Sequence, residues 1–172
     1  MDTRPSVLKQ VLVGVGLIAV VAAIAFFGSL ATIRHTDGWY AEVTKVPWSP
    51  PNSVFGPVWS VLYLLIAIAG LLIWRSGYQG ANPNAARGVL GIYAIQLVLN
   101  GLWTPIFFAG YPLIGATAWW IALVVILALI GCVVWLAISA AKWSKTASWI
   151  MVVYLLWLTF AATLNAGIIF LN

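Results

Sequence analysis

Long stretches without a charged residue constrain this chain more than any other feature of its sequence. They cover residues 10–33, 46–74, 88–141 and 146–172. Only 6% of the 172 residues are charged and 64% are hydrophobic, whereas soluble domains usually contain about 25% charged residues. A membrane-spanning helix needs about 20 predominantly apolar residues, so each stretch can cross a bilayer at least once. The chain is therefore predicted to be an integral membrane protein.

The uncharged stretches predict helices and not strands. Backbone polar groups cannot remain unpaired in lipid, and the alternating pattern of a membrane β-barrel is absent from the sequence. Residues 88–141 are long enough to cross twice, and AGYP at residues 109–112 is the predicted turn. The predicted fold class is thus an all-α integral membrane protein, a single domain over residues 1–172 that forms a five-helix transmembrane bundle. The predicted helices cover residues 8–33, 53–75, 85–108, 113–140 and 146–170.

Basic residues predict the orientation of this bundle. With five spans, the amino terminus and the second and fourth connections lie on one side of the membrane. That side carries most of the basic residues: Arg4, Lys9, Arg75, Arg87, Lys142 and Lys145. Because Lys and Arg are enriched on the cytoplasmic side, we expect a cytoplasmic amino terminus and an external carboxyl terminus if the membrane is a bacterial inner membrane. The basic residues are too dispersed to predict binding of nucleic acid.

The interior of the predicted spans excludes several classes of function. Away from the helix ends, the spans contain no Asp, Glu, Lys, Arg or His. Proton relays, ion pumps and voltage sensors normally need such residues within the membrane, so an ion-coupled carrier is disfavoured. The sequence contains no nucleophile with a base, no paired carboxylates and no metal-binding cluster. No catalytic residue and no metal site are therefore predicted, and an enzyme is not the favoured class.

The spans do contain tryptophans that share helical faces with amides. Two such series have the spacing of one helical face: Gln96, Asn100 and Trp103 in the third helix, and Trp157, Ala161 and Asn165 in the fifth. Trp59 lies within the second helix. An amide in hydrocarbon needs a hydrogen-bond partner, so these faces should point into the bundle. Two interpretations remain open: the amides join helices to one another, or the rings and amides line a pocket for a small molecule.

The connection between the first two helices, residues 34–52, is rich in proline and aromatic residues. Three prolines prevent a helix before residue 52: Pro47, Pro50 and Pro51. Loops of this length in compact domains are usually functional or disordered, and this one is too constrained by proline to be disordered. Together with its aromatic residues Trp39, Tyr40 and Trp48, the connection is predicted to form a lid over the mouth of the bundle.

Three blocks of the sequence resemble the translocator protein family, whose members are also called peripheral benzodiazepine receptors or tryptophan-rich sensory proteins. WYAEVTKVPWSPPNSVFGPVWSVLY at residues 39–63 is similar to the family's signature for the first loop and second helix. QLVLNGLWTPIFF at residues 96–108 and YLLWLTFAATLN at residues 154–165 resemble its signatures for the third and fifth helices. The order and spacing of the blocks agree with a bacterial-type member over nearly the whole chain.

This resemblance implies a five-helix bundle, usually a homodimer, with a pocket beneath the first loop. The implied ligands are tetrapyrroles such as protoporphyrin and haem, and aromatic drug-like molecules, with no obligatory cofactor. The residues implied to line or adjoin this pocket are Tyr40, Trp59, Asn100, Trp103, Trp157, Ala161 and Asn165, with Gly28 and Ser29 of the first helix. In sterol-binding members the ATLN-like segment continues into Tyr and then Arg, whereas this chain reads ATLNAGIIFLN. The resemblance therefore leaves sterol recognition open.

The leading hypothesis is a membrane receptor or sensor for a planar hydrophobic ligand, with a porphyrin or haem-type tetrapyrrole as the favoured candidate. One alternative is a transporter that moves porphyrins or lipids through the same site. A second, which rests on family analogy, is light-dependent degradation of bound porphyrin. The fourth hypothesis is a purely structural membrane protein, and failure to bind any tested tetrapyrrole would support it.

Overall fold

A computed structural model describes residues 5–172 of the chain. This part of the chain contains helices and no β-strand. The helices are α1 (Val7–Thr36), α2 (Trp39–Glu42), α3 (Asn52–Ser76), α4 (Arg87–Ile114), α5 (Thr117–Ala140) and α6 (Lys145–Leu171). All except the short α2 are long and apolar enough to cross a membrane. The predicted all-α, five-helix, multi-pass membrane architecture is confirmed. Arg4, one of the residues that predict the orientation, lies outside the described residues.

The five long helices form a closed ring. Helix α1 lies between α3 and α4, α6 lies between α3 and α5, and α5 contacts α4 and α6. Around the bundle the order is therefore α1, α3, α6, α5 and α4. Successive long helices run in opposite directions, so the connection between α1 and α3 and the turn between α4 and α5 lie at the same end of the bundle.

The other end of the bundle is tightly packed. Its core side chains come from α3, α5 and α6 and are at most 1% exposed: Ile66, Ala69, Ile73, Ile126, Leu129, Val133, Leu136, Met151 and Tyr154. Helix α1 differs, because Val21 is its one buried residue within the described range. In lipid, helices associate through close packing and hydrogen bonds. Helices α3 to α6 therefore make up the packed body, and α1 lies at its edge.

The turn predicted at residues 109–112 is wrong. Helix α4 continues through Pro112 to Ile114, and the chain turns at Gly115, whose φ is +61° and whose N–H donates to the carbonyl of Tyr111 at 2.8 Å. Glycine reaches this left-handed conformation without steric cost. Gly110 has a different role, because a Cβ there would lie 3.0 Å from the Cβ of Ala118. It allows α4 and α5 to approach closely.

The connection between α1 and α3 is shorter than predicted. Helix α1 runs three residues beyond the predicted end at residue 33, and the connection contains the short helix α2. Helix α3 begins at Asn52, directly after the prolines, as the sequence predicts. The irregular part of the connection is thus residues 43–51, which lead from α2 to the start of α3.

Candidate ligand-binding site

A cavity of ≈ 400 Å³ lies inside the bundle at the end that carries the long connection. Helices α1, α3, α4 and α6 form its walls, and Tyr40 of the connection is also on its lining. Small-molecule sites commonly have volumes of about 300 to 1,000 Å³ and a largely apolar lining with a few polar groups. The volume and position of this cavity fit such a site.

One wall of the cavity is aromatic. On α3, the rings of Trp59 and Tyr63 stack with their centroids 5.3 Å apart. On α4, Trp103 and Phe107 stack with centroids 5.5 Å apart and ring planes inclined by 20°. Each pair is spaced i, i+4, which brings side chains together on one helical face. The two pairs present flat apolar surfaces, which are suited to a planar ligand.

Another part of the wall carries hydroxyl groups. They belong to residues of α1, α3 and α4: Ser29, Thr32, Thr36, Ser60, Tyr63 and Thr104. The hydroxyl of Thr32 donates to the carbonyl of Gly28 and that of Ser60 to the carbonyl of Gly56, each at 2.9 Å. The donor of each of these two hydroxyls is therefore used within its own helix, and its oxygen can still accept a hydrogen bond. Apart from Ser29, these residues were not predicted, because a serine or threonine bonded to its own helix leaves no pattern in the sequence.

Most of the predicted pocket residues do lie on the cavity wall. These are Gly28, Ser29, Tyr40, Trp59, Trp103, Ala161 and Asn165. Asn165 is buried and donates to the carbonyl of Trp119 at 3.1 Å, and its oxygen accepts from the indole N–H of Trp103 at 3.3 Å. Asn165 thus joins α4, α5 and α6, and it also orients the ring of Trp103. This amide therefore both joins helices and lies on the cavity wall.

Asn100 and Trp157 lie behind the lining. The oxygen of Asn100 accepts from the Tyr63 hydroxyl at 3.0 Å, and its nitrogen donates to the Tyr154 hydroxyl. The amide is thus occupied by protein partners from α3 and α6. Trp157 packs edge to face against Trp59, with centroids 6.4 Å apart. Helical periodicity predicts the face on which a side chain lies but not its distance from the cavity, so both residues support the wall from behind.

The connection contributes less of the cavity wall than the lid prediction implies. Tyr40 is its one lining residue, and Trp39, Pro47, Trp48, Pro50 and Pro51 are not on the lining. The indole N–H of Trp39 donates to the carbonyl of Phe108 at 3.2 Å. Trp48 is 57% exposed and its N–H donates to the Thr163 hydroxyl at 3.3 Å on α6. These tryptophans fasten the connection to the bundle, and Tyr40 reaches the cavity.

The chemistry of the lining is neutral. None of the described residues on it is Asp, Glu, Lys, Arg or His. Burial raises the pKa of the Tyr40 phenol above its ordinary value, so this ring is uncharged at neutral pH. Within residues 5–172 there is no group of three or more His, Cys, Asp or Glu that could hold a metal ion. The site is therefore suited to binding through apolar contact and uncharged hydrogen bonds.

Comparison with known proteins connects this architecture to a family. The model of the TspO/MBR family matches residues 17–171. Tryptophan-rich protein TspO of Archaeoglobus fulgidus is 39% identical over 159 residues, which cover 92% of this chain and 95% of that protein. The translocator protein of Homo sapiens is 37% identical over 133 residues, covering 76% and 74% of the two chains. The tryptophan-rich sensory protein of Cereibacter sphaeroides is 33% identical over 141 residues, covering 79% and 78%.

The family match extends over every helix that lines the cavity. It also includes the connection that carries Tyr40. The chain belongs to the TspO/MBR family.

Proposed function

We propose that this protein is a multi-pass membrane receptor that binds a planar hydrophobic ligand, a porphyrin or haem-type tetrapyrrole, in the cavity between its helices. The observation that carries the proposal is a ≈ 400 Å³ cavity lined by stacked aromatic pairs and uncharged polar groups. A flat conjugated ring can stack on Trp59 and Trp103, since aromatic contacts favour offset stacked or edge-to-face geometries. The hydroxyl and amide groups would orient polar substituents of the ring.

The proposed ligand class does not depend on iron. Haem is usually held by an axial His, Cys, Met or Tyr, and the described lining contains no His, Cys or Met. Of the two tyrosines on the lining, Tyr40 is kept neutral by burial, and the hydroxyl of Tyr63 donates to Asn100. Metal-free protoporphyrin and haem should therefore bind with similar affinity. A strong preference for haem would point to axial ligation instead.

The central test is porphyrin binding to purified protein, measured through the absorbance of the porphyrin so that loss of a tryptophan does not alter the signal. Replacing Trp59 by Ala should weaken binding about fivefold or more, since base–aromatic stacking, a comparable contact, contributes about 1 to 3 kcal/mol per ring. Trp135→Ala is the matched control, because Trp135 is 64% exposed on the outer surface of α5. Equal binding by both variants would exclude the cavity as the site.

The packing of the bundle supports a receptor over a transporter. A carrier exposes one site to each side of the membrane in turn, and here the half of the bundle opposite the connection is filled by side chains at most 1% exposed. Uptake of porphyrin into proteoliposomes at the rate seen for empty liposomes is the expected result. Faster uptake that disappears in Trp59→Ala would establish transport through this cavity.

Light-dependent degradation of bound porphyrin is the remaining candidate. Trp59 and Trp103 line the cavity and Trp157 contacts Trp59 from behind, so a bound porphyrin would have three indoles nearby that could exchange electrons with its excited state. Illumination of the complex should be compared with illumination of porphyrin plus free tryptophan. A product formed only with the protein, and lost in Trp157→Phe, would add this activity to binding.

The orientation proposed for the receptor follows from its basic residues. Arg75, Arg87, Lys142 and Lys145 lie in the connections at the packed end of the bundle or at the helix ends beside them, and this end should face the cytoplasm. The cavity end would then face the outside. Labelling of a single cysteine introduced in the α1–α3 connection with a membrane-impermeant reagent tests this, after Cys132 is replaced by Ala.

A homodimer is proposed because the chain belongs to a family in which this assembly is expected. Helices α1 and α5 carry many exposed apolar side chains, which can contact either lipid or a second copy. Mass measurement of the detergent-solubilised protein by light scattering, with the detergent contribution subtracted, distinguishes one copy from two.

A further inference from the structure

The lining of the cavity has no positive charge, and this limits where an acidic ligand can place its carboxylates. Transfer of an ionised carboxylate into an apolar site without a partner is costly. Protoporphyrin and haem carry their carboxylates along one edge of a flat apolar ring. If such a ring occupies the cavity, as proposed above, its acidic edge must lie where a cation is within reach. The charged residues at the cavity end of the bundle therefore decide which ligands bind well.

Lys45 is a cation in contact with the lining. Its Nζ lies 4.3 Å from the centroid of the Tyr40 ring, and Tyr40 is itself on the cavity wall and 6% exposed. An ammonium over an aromatic ring is attracted by the electrons of the ring face. A lysine has three donors on a flexible stem, so it can contact the ring and a carboxylate at the same time.

The backbone on both sides of Lys45 is held in place. The N–H of Thr44 donates to the side-chain oxygen of Asn172 at 2.9 Å, and the carbonyl of Thr44 accepts from the same amide at 3.1 Å. On the other side, Val46 is buried against Gly167, where an added Cβ would collide with a Val46 methyl. The connection is thus anchored to α6 immediately before and after Lys45. These contacts hold the backbone of Lys45 near Tyr40.

Arg34 is the rival cation at this end of the bundle. Thr32 and Thr36 both line the cavity, and side chains two residues apart on a helix do not share a face. Arg34 lies two residues from each of them and is exposed. The side chain of Arg34 therefore projects from the side of α1 that faces away from the cavity.

We propose that Lys45 is a specificity residue that pairs with the carboxylate edge of an anionic planar ligand at the rim of the cavity. The site then selects an amphipathic acid, with its ring among the aromatic side chains and its acidic edge at Lys45. This inference rests on the proposed function and identifies the substituent that the site recognises. It predicts that the free acid of a porphyrin binds more tightly than its neutral ester, although the ester is the more apolar molecule.

The test compares protoporphyrin with its dimethyl ester, both measured by porphyrin absorbance in nanodiscs of uncharged lipid. The wild-type protein should prefer the acid by about two- to fivefold, the size expected for one partly exposed ion pair, and the preference should shrink as salt is added. Lys45→Met should weaken binding of the acid to the level of the ester and leave the ester unchanged. Lys45→Arg should retain most of the preference.

Two control variants complete the experiment. Lys142→Met removes a lysine whose Nζ lies 5.7 Å from the Trp143 ring at the opposite end of the bundle, and it should keep the wild-type preference. Arg34→Met should keep it too. The inference is overturned if Lys45→Met keeps the preference, if it weakens acid and ester equally, or if Arg34→Met removes the preference. Failure of both porphyrins to bind the wild-type protein would instead reject the proposed function, and this inference with it.

Discussion

Replacement of Asn100 by Leu separates support of the cavity wall from contact with the ligand. The amide accepts from the Tyr63 hydroxyl at 3.0 Å and donates to the Tyr154 hydroxyl, and it is 3% exposed and absent from the lining. Leu has a similar volume but cannot make either hydrogen bond. The variant should therefore lose stability and keep its affinity for porphyrin.

The expected loss of stability follows from the two hydrogen bonds of Asn100. Interhelical hydrogen bonds in membrane proteins contribute about 0.6 kcal/mol on average and about 1.7 kcal/mol at most. Loss of both, with two buried hydroxyls left without this partner, should lower the free energy of unfolding by about 1 to 3 kcal/mol. The dissociation constant for porphyrin should change less than about threefold, because no atom on the lining is removed.

Both quantities can be measured on the same protein sample. Unfolding in mixed micelles gives the change in stability, and porphyrin absorbance gives the dissociation constant. A double-mutant cycle with Tyr63→Phe isolates the first hydrogen bond, and its coupling energy should be about 0.5 kcal/mol or more. A tenfold loss of affinity with unchanged stability would refute the argument and return Asn100 to the ligand site that the sequence predicts.

Three further substitutions test the packing and the anchored connection. Gly70→Ala should lower the free energy of unfolding by about 1 to 2 kcal/mol, because the added Cβ would lie 2.6 Å from the buried Tyr93 ring. In the control Gly91→Ala the added Cβ meets open space, so this variant should be neutral or stabilising. Equal effects of the two substitutions would contradict the close packing described at Gly70. Gln96→Leu should raise the free energy of unfolding by about 1 kcal/mol, because both polar atoms of this side chain are buried with no hydrogen-bond partner among residues 5–172. A decrease of the same size would show that the amide does have a hydrogen-bond partner. Asn172→Ala removes two hydrogen bonds to the backbone of the long connection and should speed tryptic cleavage there by about threefold or more; an unchanged rate would show that the anchor does not hold it.

The sequence predicts the membrane architecture well because the bilayer imposes strong constraints on composition. The uncharged stretches correspond to the five long helices, with ends that differ from the prediction by a few residues. The error at residues 109–112 has a specific cause. Glycine and proline usually mark turns, but Gly110 allows α5 to approach and Pro112 lies within α4. Only the packing of neighbouring helices distinguishes these roles.

The candidate site could be predicted where a side chain must face inward. Asn165 and Trp103 were found in this way, because an amide in lipid has to find a partner. The same rule holds for Asn100, which is buried and bonded to two protein hydroxyls, but the rule does not distinguish an amide on the lining from one that adjoins it. Threonines of α1 were missed, since the hydroxyl of Thr32 is bonded within its own helix and α1 carries no distinctive block of sequence. Which polar residues meet a cavity depends on where packing leaves space.

The position of the cavity follows from the unequal packing of the five helices. At the end away from the connection, α3, α5 and α6 fill the interior with side chains at most 1% exposed. At the cavity end, stacked rings such as Trp59 with Tyr63 are rigid and cannot collapse into the space, and α1, with Val21 as its one buried residue in the described range, does not close it. A ligand that fills this space would contact both the packed body and α1, and would join them. Ligand binding should therefore change how firmly α1 is held against the other helices. A response of this kind needs no charged residue within the membrane.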